Sequence, residues 1–315
     1  MAPNSSPIQA ALIFLNWRTP QLTVAAVRSA RATAPAPERL RILVVDNGSG
    51  DDSAAILRRE LPDAEILALP DNRGFAAGMN AALARVTEPV AFLLNSDIEF
   101  RPDAIGRLLA ALEDDPAAAL ACPRLLRPDG SEQAAVVPDP RVFWELTNRS
   151  LPRRLMRTPR DRVSAVPSVV GPCMAIHMER CRPSGFLDEH FFFFFEETDF
   201  CRRLNDAGLK VLYVPQAEVV HLQGESANRR PVRSRIQFYQ SRYRYFRKHA
   251  GPAAVLALFL GLFIRLTANL LLIGLAVLLT LGLKRKLRDR WLTQAAIWTW
   301  HLALCRPAWS FEPPR

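Results

Sequence analysis

Arg41-Ile42-Leu43-Val44-Val45 runs without a break into Asp46-Asn47-Gly48-Ser49. A short apolar run rich in branched residues that stops at turn formers reads as a buried strand whose carboxyl end opens into a polar loop. The same pattern lies on either side. Ala10 to Leu15 ends at Asn16, Pro89 to Leu94 ends at Asn95-Ser96-Asp97, and Ala64 to Leu69 is a further run of strand length. Between them, Leu22 to Ala32, Ser53 to Leu61 and Ala76 to Ala84 carry helical patterns. Alternating strands and helices predict an α/β fold with a doubly wound, Rossmann-like, mostly parallel sheet, which binds ligands at the carboxyl ends of its strands. Turn chemistry alone accounts for any one of these loops. Three such loops opening on one sheet edge point to a nucleotide site.

Further along, Pro123 to about Pro167 is rich in Pro and Arg with weak periodicity; it reads as an insertion or lid and yields no motif. Order returns at Val169 to His177, read as one strand. Gly185-Phe186-Leu187-Asp188-Glu189 and the run Phe191 to Phe195 follow, and Glu196-Glu197-Thr198-Asp199 starts a helix that Gly208 stops.

At 315 residues, 49% apolar and 23% charged, the chain can bury a sizeable core, as one large α/β domain with an appendage or as two modest domains. The net charge of +10 admits nucleic acid, an anionic membrane surface or an anionic substrate. Its distribution favours the membrane. Arg229, Arg230, Arg233, Arg235, Arg242, Arg244, Arg247 and Lys248 form one basic block, and Lys284, Arg285, Lys286, Arg288 and Arg290 form another. The apolar stretch Ala253 to Leu283 lies between them, so an anionic membrane surface is the expected partner and nucleic acid is not. Cys122, Cys173, Cys181, Cys201 and Cys305 have neither CxxC spacing nor the density of a disulfide framework and read as reduced thiols. Met1 to Pro7 lacks a basic region and Ala10 to Leu15 is too short for a signal peptide, so the catalytic part is expected to stay in the cytoplasm.

As one helix, Ala253 to Leu283 would run about 45 Å, against a hydrocarbon core of roughly 30 Å. Basic blocks on both sides favour cytoplasmic placement of both ends, so a re-entrant hairpin or interfacial helix pair competes with a single span. Packing as a buried helix pair is the other reading. Trp291, Trp298 and Trp300 suit either an interfacial belt or a core helix. The expected organisation is a catalytic domain over 1–226, a basic linker over 227–252 and an apolar helical membrane-associating tail over 253–315. Removal of residues after about Arg230 is then expected to leave a more soluble catalytic part.

Sugar transfer from a nucleoside diphosphate requires a base pocket, neutralisation of the leaving diphosphate and a base for the acceptor hydroxyl. Asp46, at a buried strand end, can accept hydrogen bonds from a nucleobase edge or ribose. Asp97, two positions after Asn95, has the spacing of a loop that holds a divalent cation against diphosphate oxygens. His221, after the strand Ala217 to Val220, offers a further ligand. The plainer readings are an N-cap for Asp97, poorly spaced from a helix near Pro102, a structural imidazole for His221, and helix-dipole partners for Glu196, Glu197 and Asp199. Placement directly after a run of Phe favours a base among these carboxylates, because an apolar wall raises a carboxyl pKa.

Asn16-Trp17, Val44 to Ser49, Asn72-Arg73-Gly74-Phe75-Ala76-Ala77-Gly78-Met79-Asn80, Leu93 to Asp97, Phe192 to Asp199 and His221 to Ser226 come in the order seen in family 2 glycosyltransferases. Over about residues 8–226 the chain resembles that family's rhamnosyltransferase-like branch. The resemblance implies a GT-A fold, an inverting mechanism and a Mg²⁺ or Mn²⁺ requirement. It implies nucleobase binding at Asp46 and packing of Asn72, Gly74 and Asn80 on the nucleotide, with Asn16 on the same side. It makes Asp97 the metal carboxylate of a DxD-type motif, with Asn95 standing at its first acidic position. It also makes Glu197 the catalytic base, where Asp is more frequent, and His221 similar to a metal-coordinating histidine of some relatives.

The expected activity is thus transfer of rhamnose or a similar deoxyhexose to a surface-glycan or lipid-linked acceptor at the cytoplasmic face of the cell membrane. A UDP-hexose or UDP-N-acetylhexosamine donor, and a silent nucleotide-sugar-binding scaffold, are the alternatives; an oligomer stays open. The presence of Asp97, Glu197 and Asp199 together argues against silence.

Overall fold

Strand β1 (Ala10–Asn16) pairs in parallel with β2 (Leu40–Asp46) on one side, and β2 with β3 (Glu65–Ala68) beyond it. On its other side β1 pairs in parallel with β4 (Val90–Asn95). Leu12, Ile13, Leu43, Val44, Phe92 and Leu93 are fully buried, as expected of strands covered on both faces. Helices α1 (Pro20–Thr33), α2 (Ser53–Glu60) and α3 (Phe75–Leu83) connect these strands. Pro20 opens α1, where its missing N–H costs no helical bond.

The computed structural model describes residues 9–147, 156, 159–222 and 231–305. The chain divides into two units, the first made from the described residues of Met1–Asp139, Met156–His190 and Glu196–Glu225. After β4 its main sheet continues with β5 (Ile98–Phe100), helix α4 (Ala104–Asp114), β6 (Ala118–Leu126) and the two-residue β7 (Glu132–Gln133). β8 (Val136–Val137) pairs with β10 (Ser168–Val169) in a separate small sheet, while β9 (Ser164–Ala165) pairs with β12 (Lys210–His221). The long path runs β3-β2-β1-β4-β11-β6-β12-β5, where β11 is Cys173–His177. β11 lies antiparallel to both β4 and β6, β12 is parallel to β6, and β5 is antiparallel to β12.

The expected strands Ala10 to Leu15, Arg41 to Val45, Ala64 to Leu69 and Pro89 to Leu94 are present within a residue or two. Two expectations change. Val169 to His177 is two strands, because Gly171-Pro172 interrupts it and proline cannot donate to a ladder. Within Pro123 to Pro167, β6 extends to Leu126 and β7, β8 and β9 follow; two-residue strands leave no periodicity to read. Cys122, Cys173, Cys181 and Cys201 are buried free thiols, as composition indicated.

The second unit comprises the described residues of Pro140–Leu155, Phe191–Phe195 and Ser226–Arg315. Its helices, numbered after α6 (Met178–Cys181) and α7 (Glu196–Asp206) of the first unit, are α8 (Pro231–Leu279) and α9 (Arg285–Leu302), with α5 (Val142–Leu146) before them. α8 is broken at Gly251, whose φ of 81° favours glycine, and Pro252 restarts the helix. Residues 231–250, within the stretch read as a basic linker, are helical; 227–230 lie outside the described residues. α9 folds back along α8. Trp298 Nε1 donates to Thr267 Oγ1 (2.9 Å), and the Tyr243 hydroxyl meets His301 Nε2 at 2.9 Å. Ile236, Leu266, Ile297 and Trp300 form the core between them. A second core joins Phe191 and Phe195 to Tyr245, Phe246, Leu258 and Leu262. Arg242, buried between the rings of Phe238 and Tyr239, pairs with Glu145 at 3.3 Å. Leu271, Leu272, Leu275, Leu278 and Leu279 stay exposed, and α8 is long and apolar enough to cross a membrane.

Candidate active site

The parallel register of β1 with β2 and β4 brings Asn16 beside Asp46, and Leu15 beside Asn95, at one sheet edge. Asn16 is fully buried. Its amide donates to Asp46 Oδ1 (2.8 Å), while its Oδ1 accepts from the Thr23 hydroxyl (3.0 Å) and the Thr19 backbone N–H (3.3 Å). Ser49 Oγ also donates to Asp46 Oδ1. Asp46 is therefore fixed from two sides, and Asn16 acts by orienting it. Ser96 Oγ hydrogen-bonds Thr19 Oγ1 at 3.0 Å, tying the loop after β4 to the start of α1.

The second loop is held by Asn72, whose Oδ1 accepts from the Gly74 N–H (2.9 Å) and from Asn47 Nδ2 (3.2 Å). Asn47 Nδ2 also donates to the Gly74 carbonyl (3.0 Å). Gly48 has φ 62°, and a Cβ there would run into the backbone of Asp71 and Asn72. Only glycine lets the two loops approach this closely. Asn80 Nδ2 donates to the Leu187 carbonyl at 2.8 Å and its Oδ1 accepts from the Leu187 N–H at 3.3 Å. Asn72, Gly74 and Asn80 thus shape the rim by fixing backbone.

Asp97 directly precedes β5, so it does not cap a helix; Asp103 is the residue before α4. Antiparallel pairing sets His221 opposite Ile98, and the Leu222 N–H donates to the Asp97 carbonyl (3.0 Å). Consequently His221 Nε2 lies 3.4 Å from Asp97 Oδ1, with both residues buried. On the far ring nitrogen, Nδ1, sits the amide nitrogen of Gln133 at 3.0 Å. Gln133 falls in the segment that yielded no motif from sequence; a lone Gln in a two-residue strand carries no signal. Of the expected motif His221 to Ser226, residues 223–226 lie outside the described residues.

The Asn95 N–H donates to the Pro172 carbonyl at 3.0 Å, and the neighbouring Gly171 lies against Glu197: a Cβ at Gly171 would be 3.3 Å from Glu197 Cβ. Gly171-Pro172 thus links the Asn95–Asp97 loop to the start of α7. Glu197 keeps partial exposure, and burial lifts its carboxyl to about 6 against hydrogen bonds from backbone N–H groups and the Thr198 hydroxyl. Burial, with the charge of Glu197 adding to it, pushes Glu196 well above the carboxylate range. Asp199 is fully buried and pairs with Arg203 Nε at 2.8 Å. Arg203 in turn donates to the carbonyls of Ser184, Gly185 and Phe186, so Asp199 braces the preceding loop. Phe194 and Phe195, just before α7, both adopt φ 68°, a conformation that costs free energy in bulky residues.

A parallel-sheet edge carrying a fixed carboxylate, a carboxylate–imidazole pair and a largely buried carboxyl of raised pKa has the parts that nucleotide-dependent group transfer needs. The family model described as glycosyl transferase family 2 matches residues 16–178, and the chain belongs to that family. It is 27% identical over 236 residues to N-acetylglucosaminyl-diphospho-decaprenol L-rhamnosyltransferase of Mycobacterium tuberculosis, covering 67% of this chain and 76% of the relative. It is 30% identical over 224 residues to the pre-mycofactocin glycosyltransferase of the same species, covering 69% of this chain but 43% of that relative. Among solved structures it resembles the mannosyltransferase PcManGT of Pyrobaculum calidifontis in complex with GDP-Man and Mn²⁺ (TM-score 0.58, 16% identity, 95% of this chain and 88% of that one). It also resembles GalNAc-T7 with UDP, GalNAc and Mn²⁺ (TM-score 0.54, 15% identity, 69% of this chain and 44% of that one). These likenesses establish the GT-A fold; the apolar helical tail is this chain's own α8 and α9.

Proposed function

We propose that the chain is an inverting, divalent-cation-dependent glycosyltransferase. It moves rhamnose or a similar deoxyhexose from a nucleoside diphosphate to a surface-glycan or lipid-linked acceptor at the cytoplasmic face of the membrane. The observation that carries this reading is the placement of the Asp97–His221 pair and Glu197 around the Gly171-Pro172 link. The relative described as a decaprenol-linked rhamnosyltransferase supports the sugar and acceptor class.

Asp46 receives the nucleobase or ribose, held in place by Asn16 and Ser49. A carboxylate oxygen and an imidazole nitrogen form a donor set suited to Mg²⁺ or Mn²⁺. Asp97 and His221 are the residues that would hold that cation beside the donor's diphosphate. When bound, it would supply neutralisation of the charge that develops on the leaving diphosphate. Glu197 takes the proton from the acceptor hydroxyl while that oxygen attacks the anomeric carbon from the face opposite the diphosphate. The carbon–oxygen bond to the diphosphate breaks in the same displacement, and the anomeric centre inverts. A carboxyl raised to about 6 is mostly ionised at neutral pH yet more basic than an ordinary Glu. The exposed leucines of α8 and the basic residues from Lys284 to Arg290 hold the chain on anionic lipid. Residues 1–226 are assigned to catalysis and 253–315 to this attachment.

The test is proton NMR of the glycosidic product made from a donor of known anomeric configuration. Inversion is expected; a product with retained configuration overturns the mechanism.

A further inference from the structure

The contact on the far side of His221 has no place in the chemistry above. Gln133 Nε2 lies 3.0 Å from His221 Nδ1, and Gln133 is 6% exposed. Its Oε1 is buried without a hydrogen-bond partner among the described residues. A buried amide oxygen left unsatisfied is costly, and an amide is a two-ended group that reverses its donor and acceptor by a half-turn.

In the arrangement seen, the Gln133 amide donates to a bare Nδ1. The imidazole proton is then on Nε2, directed at Asp97 Oδ1 3.4 Å away. That tautomer cannot ligate a cation through Nε2, whose lone pair is used by the proton. Ligation requires the proton on Nδ1, and a proton there needs an acceptor. The Gln133 oxygen meets this need when the amide turns over. β7 supplies the rigid base: its pairing sets Gln133 against Leu125 of β6, and β6 carries β12 on its other edge in the Val219↔Leu125 register.

We infer that Gln133 is a positioning residue that sets the His221 tautomer, its amide oxygen accepting the Nδ1 proton so that Nε2 is free to bind the cation. This rests on the metal reading of Asp97 and His221 given above. Partners on the non-ligating nitrogen of a metal histidine fix its tautomer and orientation, and their loss costs about 10–100-fold in metal affinity.

The experiment measures Mn²⁺ binding to the full chain by electron paramagnetic resonance, with UDP and separately with dTDP, for wild type, Gln133→Leu, Gln133→Glu and Asp97→Ala. Gln133→Leu is expected to weaken Mn²⁺ binding by at least about tenfold. Gln133→Glu, which retains an acceptor for Nδ1–H, should bind at least as tightly as wild type. Nitrogen-15 NMR with Mg²⁺ should show His221 moving to the Nδ1–H tautomer in wild type and Gln133→Glu. Should Gln133→Leu fail to fold, the Gln133→Glu comparison and the NMR assignment still decide. Loss of binding in Asp97→Ala with unchanged binding in Gln133→Leu, or an Nε2–H tautomer in the Mg²⁺-loaded protein, overturns the inference alone. Unchanged binding in Asp97→Ala overturns the metal site and the inference with it.

Discussion

Asp97 Oδ1 and His221 Nε2 stand 3.4 Å apart because β5 and β12 pair antiparallel with Ile98 opposite His221. A loop at the end of β4 and the last residue of β12 thereby become one site, although they lie 124 positions apart in the sequence. The pairing also uses the Asp97 carbonyl as a backbone acceptor, so the side chain is fixed at its root.

Asp97→Ala should abolish transfer and remove metal-dependent nucleotide binding while leaving the fold intact, since the strand contact uses backbone only. Calorimetry with nucleoside diphosphate and Mn²⁺ checks this. Equal heats in mutant and wild type would take Asp97 out of the metal site.

Glu197→Gln should leave donor affinity nearly unchanged and lower turnover by at least ~10²-fold, the usual cost of losing a general base. Asp199→Asn should act differently. Its carboxylate holds Arg203 and the loop Arg203 braces, so the loss should appear as reduced thermal stability. A turnover loss for Asp199→Asn equal to that of Glu197→Gln, at unchanged stability, would move the base.

The raised Glu197 carboxyl fixes the sign of two pH effects. As a base it works ionised, so kcat/KM should fall as pH drops through about 6, above the 4.5 of an ordinary Glu. For stability, a folded pKa above the unfolded one favours the fold below 4.5 and loses that contribution as pH rises through about 6. Glu197→Gln should therefore unfold at a higher temperature than wild type at pH 8, with the difference gone near pH 4. An acid limb at the ordinary carboxylate value would contradict the assignment.

Gly48→Ala should cost both stability and nucleotide binding. Its φ of 62° and the Asp71–Asn72 backbone in the path of a Cβ leave no room for relaxation. The comparison is Gly130→Ala, where φ is also positive but nothing lies within 4 Å of a Cβ. Denaturant midpoints for the two should separate strain alone from strain plus collision.

How much of this was legible in sequence follows from the range of each signal. The first four strands and their polar ends were readable because burial on both faces writes continuous apolar runs. Asp46, Asp97 and Glu197 sit where those runs or a helix start place them. Gln133 was unreadable, since its role depends on a register between β6, β7 and β12 that no local pattern encodes. In sequence the Phe run reads only as an apolar neighbour of Glu196 and Glu197. Phe191 and Phe195 in fact pack on Tyr245, Phe246, Leu258 and Leu262. This changes the expectation for the tail: cutting after about Arg230 would strip the cover from two buried Phe side chains, so the shortened chain should aggregate instead of gaining solubility. Light scattering of both forms checks it.

Membrane attachment should have an apolar and an electrostatic part. Leu275→Asp with Leu278→Asp, at positions already exposed, should weaken flotation with anionic vesicles in high salt while leaving the fold unchanged. Replacing Lys284, Arg285, Lys286, Arg288 and Arg290 with Gln should weaken it only at low salt. If neither set alters flotation, lipid is not what α8 and α9 meet.

The most direct test of the activity is release of nucleoside diphosphate by the full-length chain from a panel that includes dTDP-rhamnose, UDP-hexoses and UDP-N-acetylhexosamines, with a polyprenyl-diphosphate-linked sugar as acceptor. One deoxyhexose donor should be turned over with Mn²⁺ or Mg²⁺, stop on chelation, and fail with Asp97→Ala and Glu197→Gln. Turnover that persists under chelation or in Asp97→Ala, or no turnover of any donor, would contradict a metal-assisted glycosyl transfer at this site.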